Sequence, residues 1–161
     1  MLTYRPATAA DAEAVMTFWA TAAEDSHRPP DSTDAVLRLI TRDPEALILA
    51  IDNEPATSDG AAGHASEPSA GAEVSDGSIV GSIIVGWDGW RCHLYRLAVA
   101  PTHRRRGIAR TQITLAEDRF TSYGGTRADA MVLDDNPTAH PTWSAAGYTP
   151  QPNWSRWVKP L

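Results

Sequence analysis

The chain has one cysteine, Cys92, in 161 residues, which excludes an internal disulfide framework. It has no apolar run long enough to cross a membrane and no amino-terminal apolar segment of the signal-peptide kind. The expectation is a soluble, cytoplasmic protein with no membrane partner. His, Cys, Asp and Glu nowhere recur at metal-ligand spacing, so no metal is expected. An excess of positive charge is also missing. There are 14 Lys and Arg against 20 Asp and Glu, a net charge of −6, which argues against nucleic acid as a partner. Basic residues are scarcest in residues 1–90, with 4 basic against 15 acidic groups, whereas residues 91–161 hold 10 basic and 5 acidic. Such a split points to an anionic ligand held by the second half. The acidic first half either favours a cationic partner such as an amine or is a solvated surface.

What is present suits a globular protein. The apolar content of 42% and the length fit one domain with a proper core, spanning residues 1–161. Leu2–Arg5 reads as a short strand. Thr8 with Asp11 three residues on reads as a helix start, and Ala12, Val15, Met16, Trp19 and Ala22 mark one face of that helix. A polar break closed by Pro29 and Pro30 precedes a second helix from about Ser32 to Arg42, stopped by Pro44. Ala46–Ile51 is an apolar run of strand length. Residues 52–77 are rich in small and acidic residues, with Val74 their only large aliphatic, and cannot bury enough apolar surface to offset ordering entropy. They read as a flexible loop between two strands, either plain slack or a lid. His64 in that loop has no ligand partner at metal spacing. Ser78–Trp87 and Arg91–Ala100 read as strands joined at a hairpin signal, Asp88-Gly89. Ala128–Leu133 is a further strand, a short helix starts near Asn136 with Pro141 making its beginning irregular or kinked, and Trp154–Val158 reads as a last strand.

The most informative stretch is Leu94–Phe120: an apolar strand, a turn carrying Arg104, Arg105 and Arg106, then Gly107 opening a helix whose inward face is Ala109, Ile113, Ala116, Phe120 and Tyr123. The first-turn N–H groups of a helix lack intrahelical partners and its dipole favours an anion there, so this arrangement suits phosphate. Gly107 allows a ligand to approach the backbone. The pattern Arg104-x-x-Gly107-x-Ala109 after Leu97-Ala98-Val99 resembles the acetyl-CoA signature of the GNAT superfamily of N-acetyltransferases. The order of elements resembles that fold as well: mixed α/β, one mixed and largely antiparallel central sheet flanked by helices. Asn136-x-x-Ala139 followed by Gly147-Tyr148 resembles a third family segment, in which Trp143 stands where many members carry a tyrosine that protonates the departing thiolate. An indole N–H cannot do that work, although it can donate a hydrogen bond.

The resemblance implies acetyl-CoA as co-substrate, bound through the backbone of Leu97, Ala98 and Val99, through the turn Arg104, Arg105, Arg106, Gly107, Ile108 and Ala109, and near Asn136 and Trp143. It implies transfer of the acetyl group to a primary amine, of a small molecule or a peptide, directly within a ternary complex. His93 and Tyr95 are two apart on one strand and so share a face, together with Leu97 and Val99. They resemble the paired histidines of arylalkylamine N-acetyltransferases. His93 is the expected base, or else a plain hydrogen-bonded strand histidine, and Tyr95 a relay or a pocket wall. The acceptor pocket of the family would draw here on Glu24, Asp25, His27 and Trp87, with Trp19 and Trp90 nearby. Cys92 has no partner that would make it a nucleophile. Members of the family often pair, and Trp154–Val158 is the expected edge for a homodimer. The competing readings are a non-catalytic acyl-CoA-binding module, suggested by Trp143, and an Arg-rich nucleic-acid contact.

Overall fold

A computed structural model describes residues 1–23, 30–53 and 77–160. The sheet has five strands in the order β1 (Leu2–Pro6), β2 (Leu47–Asp52), β3 (Ser78–Trp87), β4 (Cys92–Val99) and β5 (Ala128–Ala130). Neighbours are antiparallel except β4 and β5, which run parallel. Helices α1 (Ala12–Ala22) and α2 (Thr33–Arg42) cover one face, α3 (Ile108–Ser122) the other, and a short α4 (His140–Ala145) follows β5. This is the mixed architecture expected, with the interior strand β2 buried along its whole length because both of its faces are covered. Leu47, Leu49 and Ile51 meet Val15, Phe18, Trp19 and Val36 on the α1/α2 side, while Ile48 meets Ile83, Val85, Ile113 and Phe120 on the α3 side.

Local chemistry sets the element ends. The Thr8 N–H donates to Asp11 Oδ2 at 2.7 Å, and Arg5 grips both carboxylate oxygens of Asp11 at 2.7 and 2.8 Å. A 3-10 turn over Ala9–Asp11 therefore leads into α1. Ser32 Oγ accepts the Ala35 N–H at 3.1 Å and caps α2. Helix α3 crosses the sheet where β3 has Gly81. A Cβ there would come within 2.8 Å of Ile108 Cγ2, so only glycine lets the helix lie this close.

Several expectations need correction. Strand β5 ends at Ala130 rather than Leu133. Helix α4 begins at His140 because Asn136 Oδ1 instead accepts the Ala139 N–H at 3.2 Å and closes a turn. Pro141 then lies in the first turn, where its missing N–H costs nothing, so it starts the helix and does not kink one. Trp154–Val158 forms no strand, and Trp154 and Trp157 stand 76% and 92% exposed. A three-residue β5 offers little edge for it to pair with. Tyr123 is exposed at the end of α3, and the inward position that periodicity assigned to Ala109 is only half-buried, with Gln112 fully buried. Residues 54–76 of the expected loop, with His64, lie outside the described residues. No helix among the described residues is long and apolar enough to cross a membrane.

Candidate active site

The site originates in one extra residue in β4. Its register with β3 runs Gly86↔His93, Ile84↔Tyr95, then Ser82↔Ala98, so Arg96 and Leu97 together stand opposite Ile83. This is a β-bulge, and Arg96 occupies the left-handed region at φ +49°. The bulge reverses the alternation of side chains. His93 and Tyr95 lie opposite Gly86 and Ile84 on the α1/α2 face, whereas Leu97 packs with the α3 cluster and Ala98 with the α1/α2 cluster. The expectation that Leu97 and Val99 share the face of His93 and Tyr95 is therefore wrong. A strict period of two does not survive an inserted residue.

The bulge also separates β4 from β5. Their pairing covers only Cys92–Leu94 with Ala128–Ala130. Beyond it the two strands diverge and a cleft of about 650 Å³ opens between them. Tyr95, Arg96 and Leu97 form one wall, Met131–Asp134 with Asn136 and Trp143 the other, and Trp19 with Asp31 the α1/α2 end. Divergence of two parallel strands makes the kind of crevice in which α/β proteins place ligands. Past Leu94 no β5 residue pairs with β4, so the backbone of that edge is open to a ligand carrying amides.

At the end of β4, a 3-10 turn over Pro101–His103 and the arginines lead to α3, with Gly107 as its N-cap at φ +81°. A Cβ on Gly107 would meet no atom within 4 Å, so the space beside the N-cap of α3 is open on that side. The turn is held from behind by Asp52, a buried carboxylate at the end of β2. His103 Nε2 lies 3.2 Å from it and Arg106 Nη1 3.6 Å. Arg104 donates to the Val99 carbonyl at 3.3 Å, and Arg105 takes φ +61°. Ile108 is buried in the core, so only its backbone is available to a ligand.

His93 Nδ1 lies 2.5 Å from Asp129 Oδ1, across the β4–β5 pair. An ionised carboxylate only accepts, so Nδ1 is the donor in this bond, and in the neutral ring that leaves the lone pair on Nε2. The His93 and Tyr95 rings are 5.8 Å apart. Tyr95 lines the cleft and His93 sits behind it. Burial, reinforced by the charge of Asp129, raises the Tyr95 phenol above its usual range. Asp129 is a partner that sequence reasoning missed, because parallel pairing between distant segments leaves no local signal. Arg96, bonded to Asp31 and set 5.3 Å above the Trp19 ring, was missed as well.

The remaining candidates are dispersed. Trp87 lies on the α3 face, stacked on Tyr123 at 5.9 Å, and does not line the cleft. Glu24, Asp25 and His27 lie outside the described residues. Trp143 lines the cleft and packs edge-on against Tyr148 at 5.0 Å. Cys92 is buried, and burial raises its thiol pKa. No group of three potential metal ligands occurs among the described residues.

Comparison with known proteins bears on the family and the fold. An acetyltransferase of Pectobacterium atrosepticum is 32% identical over 127 residues, covering 78% of this chain and 72% of its own. One of Yersinia enterocolitica is 43% identical over 65 residues, 40% of this chain, and the match spans only 45% of that relative's length. The diaminobutyrate acetyltransferase of Paenibacillus lautus, solved with L-2,4-diaminobutyric acid and coenzyme A, superposes with a TM-score of 0.64 at 18% identity, over 90% of this chain and 74% of that one. At that identity the likeness speaks for the fold. The model of the acetyltransferase (GNAT) family matches residues 16–148, most of the sheet and both of its helical faces, and the chain belongs to that family.

Proposed function

We propose that the chain is an N-acetyltransferase that moves an acetyl group from acetyl-CoA to a primary amine, of a small molecule or a peptide, within a ternary complex. The observation that carries this reading is the juxtaposition of two open features. The N-cap of α3 has open space beside Gly107, and the unpaired edge of β4 borders the cleft a few residues earlier. A ligand with a diphosphate at one end and an amide-bearing arm at the other fits both. The amides of Gly107, Ile108 and Ala109, with Arg104 and Arg105, would take the diphosphate. Arg106 already leans on Asp52. The backbone of Leu97–Val99 would carry the arm, with Asn136 and Trp143 on the opposite wall.

When bound, acetyl-CoA supplies a thioester carbonyl and a thiolate leaving group. The chain's own part is to hold the two reactants together, exclude water and take a proton from the amine. A phenol with a raised pKa stays protonated at neutral pH, so Tyr95 serves as a relay rather than a base. His93 behind it, with Nδ1–H fixed on Asp129, offers Nε2 as the acceptor. The reading is tested by thiol release with acetyl-CoA against a panel of amines. Turnover with at least one amine is expected. Coenzyme A binding without turnover on any amine would favour a non-catalytic acyl-CoA-binding module, and absence of coenzyme A binding would overturn both.

A further inference from the structure

The bulge that opens the cleft is fastened from inside the core. The Trp19 indole Nε1–H donates to Ser82 Oγ at 2.8 Å, and the Ser82 hydroxyl donates to the Arg96 carbonyl at 2.9 Å. Trp19 is 3% exposed and Ser82 fully buried, so the first bond is shielded from water, and the second runs from a buried hydroxyl to a part-buried carbonyl. The residue they hold, Arg96, has a left-handed backbone that a side chain other than glycine's disfavours. Such a conformation persists only where the surroundings over-determine it. Here they do so on both sides, since the Arg96 guanidinium is bonded to Asp31 and lies over the Trp19 ring. Ser82 is a hydroxyl residue in a strand of Val, Ile and Gly, and its side chain lies beneath the bulge with both hydrogen-bonding functions used.

We infer that Ser82, with Trp19 behind it, is a positioning residue that holds the β4 bulge and so sets the edge along which the pantetheine arm of coenzyme A lies. Ser82 does not line the cleft and cannot touch a ligand. Its effect runs through the Arg96 backbone to the neighbouring Leu97–Val99. The diphosphate turn at the far end of β4 is held separately, by Asp52 and the start of α3. Loss of the Ser82 hydroxyl therefore frees the bulge and leaves the turn in place.

This inference rests on the proposed function, and the test separates the two. Calorimetry is run on the full chain with two probes: coenzyme A, and its nucleotide diphosphate half lacking the pantetheine arm. For Ser82→Ala, coenzyme A affinity is expected to fall about tenfold, the scale of one hydrogen bond to a buried partner, with the affinity of the nucleotide half unchanged. Unchanged affinity for both probes would overturn the inference, and so would equal losses for both, which a general loosening of the fold would give. If the unaltered chain bound neither probe, the proposed function itself would fail. Should Ser82→Ala not fold, Ser82→Cys keeps a side chain of similar size, stays outside the cleft and replaces the hydroxyl by a weak thiol donor. The same split, at roughly threefold, is then expected, and its absence refutes the inference.

Discussion

Gly107 and Gly124 stand at the two ends of α3 with the same positive φ, and this makes a matched experiment. At each, φ is +81° and a built Cβ would meet no atom within 4 Å. Alanine at either position therefore adds left-handed strain of about 1 kcal/mol without a clash. In a chain of this length that lowers Tm by roughly 2–4 °C. What differs is the occupant of the open space. At Gly124 it is solvent. At Gly107, in the proposed complex, it is the diphosphate against the first-turn amides. A methyl group there displaces the anion, and loss of one charge-assisted hydrogen bond costs about 1.5–3 kcal/mol, or roughly 10- to 100-fold in affinity. Calorimetry with coenzyme A and thermal unfolding without it, on both variants, measure the two effects separately. Gly107→Ala should lose both stability and affinity, and Gly124→Ala stability alone, with its affinity within about twofold of the unaltered chain. Equal affinities in the two variants, at equal loss of Tm, would refute the phosphate assignment and leave Gly107 a plain helix cap.

Other outcomes follow from the same structure. His93→Ala is expected to lower kcat/KM by about 100-fold or more and to flatten the rise of the pH profile that reports the base. Asp129→Asn should lower kcat/KM by about tenfold or more by releasing the ring, and an unchanged profile in His93→Ala would remove His93 from the mechanism. The hydrogen bonds from Arg5, with help from Thr8, hold the Asp11 carboxyl at about 2 instead of the ordinary 3.8. A depressed carboxyl stabilises the fold above its unfolded value, and that contribution is lost as pH falls through about 2. Asp11→Asn should accordingly cost about 1 kcal/mol at neutral pH, after allowance for solvent screening, with the difference from the unaltered chain closing near pH 2 in urea titrations. Cys92, buried and with its thiol pushed up by burial, should resist alkylation in the native state and react only as the chain unfolds; rapid native labelling would contradict the placement of β4.

The elements were legible where one local rule decided them. Thr8 with Asp11, the Ser32 cap, the Ala46–Ile51 run and the Arg104–Ala109 turn were all readable because capping, burial and helix-start chemistry act over a few residues. Trp154–Val158 misled, since a Trp-rich stretch forms a strand only when an edge is available to pair, and β5 is three residues long. The Asp129 partner of His93 was invisible because 36 residues separate the two, and only the parallel register brings them together. Gln112 was missed because a polar residue reads as outward. Inside, its amide nitrogen donates to the Ile48 carbonyl at 3.1 Å, while its amide oxygen is buried with no hydrogen-bond partner among the described residues.

The larger error concerned faces, and it shows where sequence reasoning loses track of a site. A period of two carried Leu97 and Val99 to the same side as His93 and Tyr95. The inserted residue at Arg96 moves them to the other side, and it does so by placing an arginine where the backbone favours glycine. A glycine there would have signalled a bulge. An arginine gives no such signal, because the reasons it is stable lie in Trp19, Asp31 and Ser82, which are 77, 65 and 14 positions away. The same insertion ends the β4–β5 pairing and opens the cleft. The feature that makes the site is therefore the one whose cause is most widely distributed along the chain, and a strand-by-strand reading loses the site at that residue even when every strand around it is right.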